Sequence, residues 1–175
     1  MIDSAENHAV SYDLITPSSV VLRANHATCL DPTGEVEQVP LEDIRRLMKG
    51  RSGFLCCYAP RFYKLNFNAQ LLDILELYAF VHPAQFCVPT PSGIARALGL
   101  SAPGDEEEEA MALLEAMDVL LSDIRQDPYK SSEDILLIAK MMGRNGKGWS
   151  WTPYIYQALG QIYNPSEPIE HKRGL

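Results

Sequence analysis

The chain has 175 residues, 46% hydrophobic and 22% charged, with a formal net charge of −8. That length and apolar content suffice for one good core and a small helical annex, and the acidic balance argues against a protein that coats nucleic acid through a broad basic face. No stretch nears the roughly 20 apolar residues that span a bilayer, and the acidic start Met1–Glu6 is no signal peptide, so a cytoplasmic protein without membrane contact is expected.

Residues 1–17 lack clear periodicity and read as a lead-in ending at Thr16-Pro17. Val20-Val21-Leu22 is a short β-branched apolar run, the first strand signal. Ala27–Leu30 and Val36–Val39 then flank Asp31-Pro32-Thr33-Gly34. Pro32 pre-sets the turn, Asp31 can bond its own backbone and Gly34 supplies positive φ, so a hairpin is expected. Pro40 stops the second arm, and apolar residues at 41, 44, 47 and 48 predict a helix over 41–49. Gly50 and Gly53 bracket its exit.

Phe54–Cys57 is a continuous apolar run, the mark of a strand covered on both faces. From there to Leu77 the chain reads as buried strand, sharp turn, short helix and a new helix that Asp73 caps, holding Leu75, Tyr78, Ala79 and Phe80. Thr90-Pro91 opens the next helix, with proline at its first position, and Gly99 closes it. Apolar residues at 110, 113, 114, 117, 120, 121 and 124 predict one face of a long helix over 105–124. Its start, Asp105–Glu109, reads as a solvated acidic turn that complements the helix dipole. Ser132 is the expected cap of a helix through Met142, and Thr152-Pro153 opens a last one that Gly160 closes. Asn164–Pro168 reads as linker.

The four cysteines, Cys29, Cys56, Cys57 and Cys87, form no Cys-x-x-Cys pair, and no histidine stands at ligand spacing. Buried reduced thiols are the expected state, in preference to a metal or disulfide site.

Phe54-Leu55-Cys56-Cys57-Tyr58-Ala59-Pro60-Arg61-Phe62-Tyr63, Leu71–Leu77 and Pro91–Leu100 together resemble the framework of proofreading-type, four-carboxylate 3′–5′ exonucleases. The likeness covers roughly Val20 to Ile124. It implies an α/β fold with a ribonuclease-H-like mixed sheet of about four to five strands, flanking helices and a helical C-terminal extension. Leu75–Pro91 and Gly148–Gly160 are similar, more closely, to the N-terminal region of bacterial DinG-type DNA helicases, where a degenerate exonuclease-like domain precedes the motor. The implied organisation is a lead-in at 1–17, an exonuclease-like domain at 18–125, a helical extension at 126–162 and a linker at 163–175 toward helicase motor domains of the same chain. The implied role is a catalytically inactive accessory domain, a pseudoenzyme in DNA repair, that guides single-stranded DNA or docks a partner. ATP and Mg would then be bound only in the motor region, and this segment would hold no cofactor or metal.

Two-metal hydrolysis needs carboxylates that hold two ions a few Å apart. The family supplies an Asp-x-Glu pair on its first strand, where Val21–Asn25 has Arg23 and no acid. Its second aspartate falls at Tyr63, and its last acidic position falls at Asp118 within 111–118. Asp73 and Glu76, three apart on a helix, are the substitutes to consider for an active nuclease with displaced carboxylates, though capping explains Asp73 more simply. A third alternative is a stand-alone interaction module.

Met142–Gly148 invites a phosphate-loop reading, but Met141 replaces the first glycine, Gly148 replaces the Ser or Thr after Lys147, and a helix precedes it. The same loop offers Arg144, Lys147, Trp149 and Trp151 as possible nucleic-acid contacts, cations beside flat stacking surfaces. The alternative is that both tryptophans pack the last helix onto the domain. Arg45, Arg46, Lys49 and Arg51 form a small basic cluster on one helix, read as a solvated face.

Overall fold

The computed structural model describes residues 14, 16–127, 131–142 and 148–166. Its sheet is built from β1 (Ser18–Leu22), β2 (His26–Leu30), β3 (Val36–Pro40), β4 (Gly53–Cys56) and β5 (Gln70–Asp73), in the order β3-β2-β1-β4-β5. β2 pairs antiparallel with both β1 and β3, whereas β4 pairs parallel with both β1 and β5. This mixed sheet with flanking helices is the expected fold class, and its layout is consistent with a ribonuclease-H-like arrangement.

The hairpin forms as its turn chemistry dictates. Asp31 Oδ1 accepts from Thr33 N (2.8 Å), Thr33 Oγ1 (2.6 Å) and Glu35 N (3.0 Å), while Gly34 takes φ +88°. Between β3 and β4, Leu41–Met48 is a 3₁₀ helix. Apolar residues at 41, 44 and 47 recur every three residues, the 3₁₀ rather than the α period, and Ile44 and Leu47 are the buried ones. Of the basic residues on and after it, Arg45, Arg46 and Lys49 are exposed, Arg46 approaching Glu37 and Asp43, and Arg51 pairs with Glu37 at 3.1 Å.

The remaining helices are α1 (Pro60–Tyr63), α2 (Ile74–Val81), α3 (Pro91–Ala97), α4 (Glu106–Gln126), α5 (Ser132–Met142) and α6 (Thr152–Ala158). Asp73, Thr90 and Asp105 accept from Leu75 N, Gly93 N and Glu108 N, capping α2, α3 and α4; Asp105, expected within the first turn of α4, is its cap instead. The cap of α5 is Ser131, one residue earlier than expected: Ser131 Oγ accepts from Asp134 N and Ile135 N reaches Ser131 O. The strand missed in the sequence is β5. Its four residues run straight into α2, so Leu71-Leu72 looks like the front of the helix.

Strand alternation divides the core into two layers. Val20, Leu22, Phe54, Cys56 and Leu71 face the 3₁₀ helix, Phe62 and Phe67. Val21, Leu55 and Leu72 face the opposite layer, where α4 lies across β1 and β2 and joins residues of α2, α3, α5 and α6. Ile135, Ala139, Trp151 and Ile155, from the stretch expected to be an extension, belong to that same layer. Cys29 and Cys56 are buried, Cys57 and Cys87 partly so, and all four are free thiols. Burial pushes Cys29 up to about 11 and Cys57 up to about 12, so neither is a thiolate near neutral pH.

Candidate functional site

β1 and β4 run parallel, and their carboxyl ends open into a shared crevice, the position where open α/β sheets commonly bind ligands. A cavity of about 120 Å³ lies there, lined by Leu22 and Arg23 from the end of β1, Cys57 and Tyr58 beyond β4, Arg61 of α1, Thr90 and Pro91 at the start of α3, and Glu109 of α4.

The turn after β4 is held in an uncommon shape. Tyr58 has φ +68°, a left-handed conformation that costs a non-glycine residue about 1–2 kcal/mol. Asp73 offsets that strain. Its buried carboxylate accepts from Tyr58 N (3.0 Å), Ala59 N (2.7 Å) and Leu75 N (3.1 Å), fixing the turn and starting α2 at once. Tyr58 is thereby aimed outward and is 47% exposed.

At the other wall Arg23 meets the first turn of α4. Its Nε donates to Glu106 Oε1 at 3.0 Å and its NH2 group to Glu109 Oε2 at 2.7 Å. Glu106 and Glu109 are three residues apart and so share the helix face that looks at the sheet. Glu106 Oε2 also accepts from Thr28 Oγ1 (2.6 Å) and contacts His26 Nε2 (2.7 Å), with Gln38 Nε2 at 3.4 Å. The acidic turn is therefore not wholly the solvated start expected. Glu107 and Glu108 are exposed, Glu108 taking Gly104 N, but Glu106 and Glu109 are anchored to the sheet.

Electrostatics follow this geometry. The Thr28 hydroxyl first, then His26 and Arg23, hold the Glu106 carboxyl below its ordinary value of 4.5 against the opposing effect of burial. Burial acts to lower the Arg23 pKa, and Glu109 and Glu106 more than reverse that effect. A depressed carboxylate stabilises the fold fully above its ordinary value, and that contribution fades as pH falls through the lower folded value. Acid titration of folding should accordingly lose a step below about pH 4.5 in Glu106→Gln. An acid limb identical in the two proteins would show that Glu106 contributes nothing there.

The residues singled out from the sequence scatter. Arg23 lies in the crevice, paired as above. Tyr63 is at the end of α1 and 61% exposed; its phenol is pushed up by partial burial, then by Glu76, Cys56 and Asp73. Asp118 is exposed on α4, three turns from Glu106 and Glu109, the acids that face Arg23 and that were not singled out from the sequence. Their sequence signal was their i, i+3 spacing inside the acidic run.

Trp151 is fully buried, and its Nε1 donates to the Asp73 carbonyl at 2.8 Å, so it offers no stacking face to a nucleic acid. Trp149 is half-buried, with Nε1 on Glu76 Oε2 at 2.8 Å and its ring 5.1 Å from that of Phe80. Arg144 and Lys147, and with them the Met142–Gly148 phosphate-loop reading, lie outside the described residues. Among the described residues no three His, Cys, Asp or Glu side chains form a metal-ligand group, and no helix is long and apolar enough to cross a membrane. Neither a family model, nor a curated protein, nor a solved structure matches this chain.

Proposed function

We propose that the chain is a catalytically silent, exonuclease-like accessory domain of an ATP-dependent DNA helicase of the DinG type, acting by docking rather than by hydrolysis. The observation that carries this reading is the Arg23 guanidinium at the end of β1, bound to Glu106 and Glu109. A hydrolytic centre of the family would need first-strand carboxylates in that place to hold divalent ions. Here a fixed cation stands on the strand and the nearby acids already neutralise it. Asp73 is engaged by three backbone amides and Glu76 by Trp149, which leaves those displaced acids in structural roles. ATP and Mg would be handled by the motor domains.

The chain with Mg or Mn and a single-stranded oligonucleotide labelled at its 3′ end is expected to leave the label at full length. Digestion that disappears in Glu109→Gln would overturn the reading and restore an active nuclease.

A second reading, guidance of single-stranded DNA, draws on Tyr58, Arg61 and Tyr63. These exposed residues place aromatic faces beside a cation on the turn and α1. Salt-sensitive oligonucleotide binding at micromolar protein, lost in Tyr58→Ala with Arg61→Ala, would favour it.

A further inference from the structure

The net charge of the chain hides a segregation across the sheet. Residues 41–69, from the 3₁₀ helix through β4 and α1 to the segment before β5, carry six lysines or arginines against two acids, a net charge of +4. The rest of the sequence carries nine against 21, a net charge of −12. The 3₁₀ helix and α1 cover the same side of the sheet, where Ile44, Leu47, Phe62 and Phe67 share one core layer. On the other side lies α4, with Glu107, Glu108, Glu115 and Asp118 exposed. Such a separation gives one layer a positive potential in a protein that is acidic as a whole.

The local period sets which basic groups meet water. With three residues per turn, Leu41, Ile44 and Leu47 turn inward, so Arg45 and the row of Arg46 and Lys49 turn outward. On α1 only Phe62 is buried, and Arg61, Tyr63 and Lys64 are exposed. Arg46 and Arg51 reach acids. Among the described residues Arg45, Lys49, Arg61 and Lys64 form no ion pair, so four charges stand free on this layer.

Unpaired cations alone suit any polyanion, and the aromatic residues beside them narrow the choice. Tyr58 is 47% exposed and Tyr63 61%. Arg61 N donates to Tyr58 O at 3.2 Å, and Lys64 follows Tyr63, so each ring has a cation next to it. A carboxylate gains little from a flat ring, a duplex hides its base faces, and the unpaired bases of a single strand stack on it.

We propose that the layer of the 3₁₀ helix and α1 binds single-stranded DNA, with phosphates on Arg45, Lys49, Arg61 and Lys64 and bases on Tyr58 and Tyr63. This extends the DNA-guiding reading above from one turn to a whole face and adds the 3₁₀ helix to it. The choice of DNA over RNA rests on the helicase reading.

The test titrates the whole chain into a fluorescent oligothymidylate of about 16 nucleotides at several salt concentrations. Micromolar binding is expected at low salt, with a slope of log K on log salt of about −3, because each of the four phosphate contacts contributes about −0.7 on a single strand. Arg45→Gln with Lys49→Gln should bring the slope to about −1.4 with the far-UV circular dichroism unchanged. Arg96→Gln with Arg125→Gln, exposed on helices of the other layer, should leave it at about −3. Tyr63→Ala should weaken single-strand binding about fivefold or more at constant slope, and leave a duplex of the same length unaffected.

An unchanged slope in the Arg45 and Lys49 pair overturns the proposal and leaves the narrower reading of Tyr58, Arg61 and Tyr63 standing. A slope lowered equally by the Arg96 and Arg125 pair overturns it in favour of a general field effect. Polyglutamate that displaces the strand at equal charge concentration overturns it in favour of an acidic protein, and about tenfold tighter binding of the matching oligouridylate in favour of RNA. No binding up to about 100 μM protein removes the face and the DNA-guiding reading together. The nuclease assay is independent: digestion of the strand removes the silent role and leaves the face.

Discussion

Trp151→Ala is expected to destabilise the chain by about 4–6 kcal/mol, the largest effect of any single substitution considered. The ring is fully buried and packs edge-on against Tyr154 at 5.7 Å. Truncating a buried tryptophan costs about 3–5 kcal/mol, because the cavity collapses only in part. The indole also donates to the Asp73 carbonyl, and losing that hydrogen bond adds about 0.5–1.5 kcal/mol. The upper end approaches the whole stability of a domain, roughly 5–15 kcal/mol. Trp151→Phe keeps most of the volume and loses the hydrogen bond, so about 1–2 kcal/mol is expected. Trp149→Ala, at a half-buried position, should cost under about 1.5 kcal/mol. Urea unfolding at constant pH measures all three. A Trp151→Ala cost below about 2 kcal/mol would mean that α6 is not anchored through this ring.

The second large effect is expected at Asp73→Ala, about 3–4 kcal/mol. One part is the lost N-cap of α2, typically about 1 kcal/mol. The rest is the turn after β4, where Tyr58 N and Ala59 N lose their carboxylate acceptor. The positive φ of Tyr58 then has nothing to offset its strain. Asp73→Asn retains one oxygen and should cost about half as much. Amide hydrogen exchange reads the mechanism directly, since Tyr58, Ala59 and Leu75 should lose protection together while the β2–β3 hairpin does not. Protection lost at Leu75 alone would reduce Asp73 to an ordinary cap.

These two residues also show where sequence reading is strong and where it stops. Asp73 is legible as a cap because the signal is local: an acceptor, then a helical run. Nothing in the sequence tells that its second oxygen reaches back 14 residues to Ala59. Trp149 and Trp151 are two residues apart and look alike in sequence, yet one is half-buried and the other is core. Trp151 adjoins the first turn of α6 and is carried under α2, a fate set by the docking of the helix. The acids of α4 behave the same way. The apolar period fixes which face turns inward, but only packing across β1 and β2 brings Arg23 within 2.7 Å of a carboxylate 86 residues away.

What the sequence alone determined is therefore the set of short-range decisions. The Asp31–Gly34 turn, the helix starts at Asp73 and Thr90, the doubly covered strand at Phe54–Cys56 and the inward face of α4 all follow from contacts within a few residues. The tertiary structure decided the rest. It made Gln70–Asp73 a fifth strand, because a four-residue extended segment is stabilised only by the neighbour it pairs with. It placed a guanidinium on two glutamates at the end of β1 and put the cations of the 3₁₀ helix and α1 on the side of the sheet opposite the acids of α4. Both depend on the relative placement of elements far apart in the chain, and no local energy term encodes that placement.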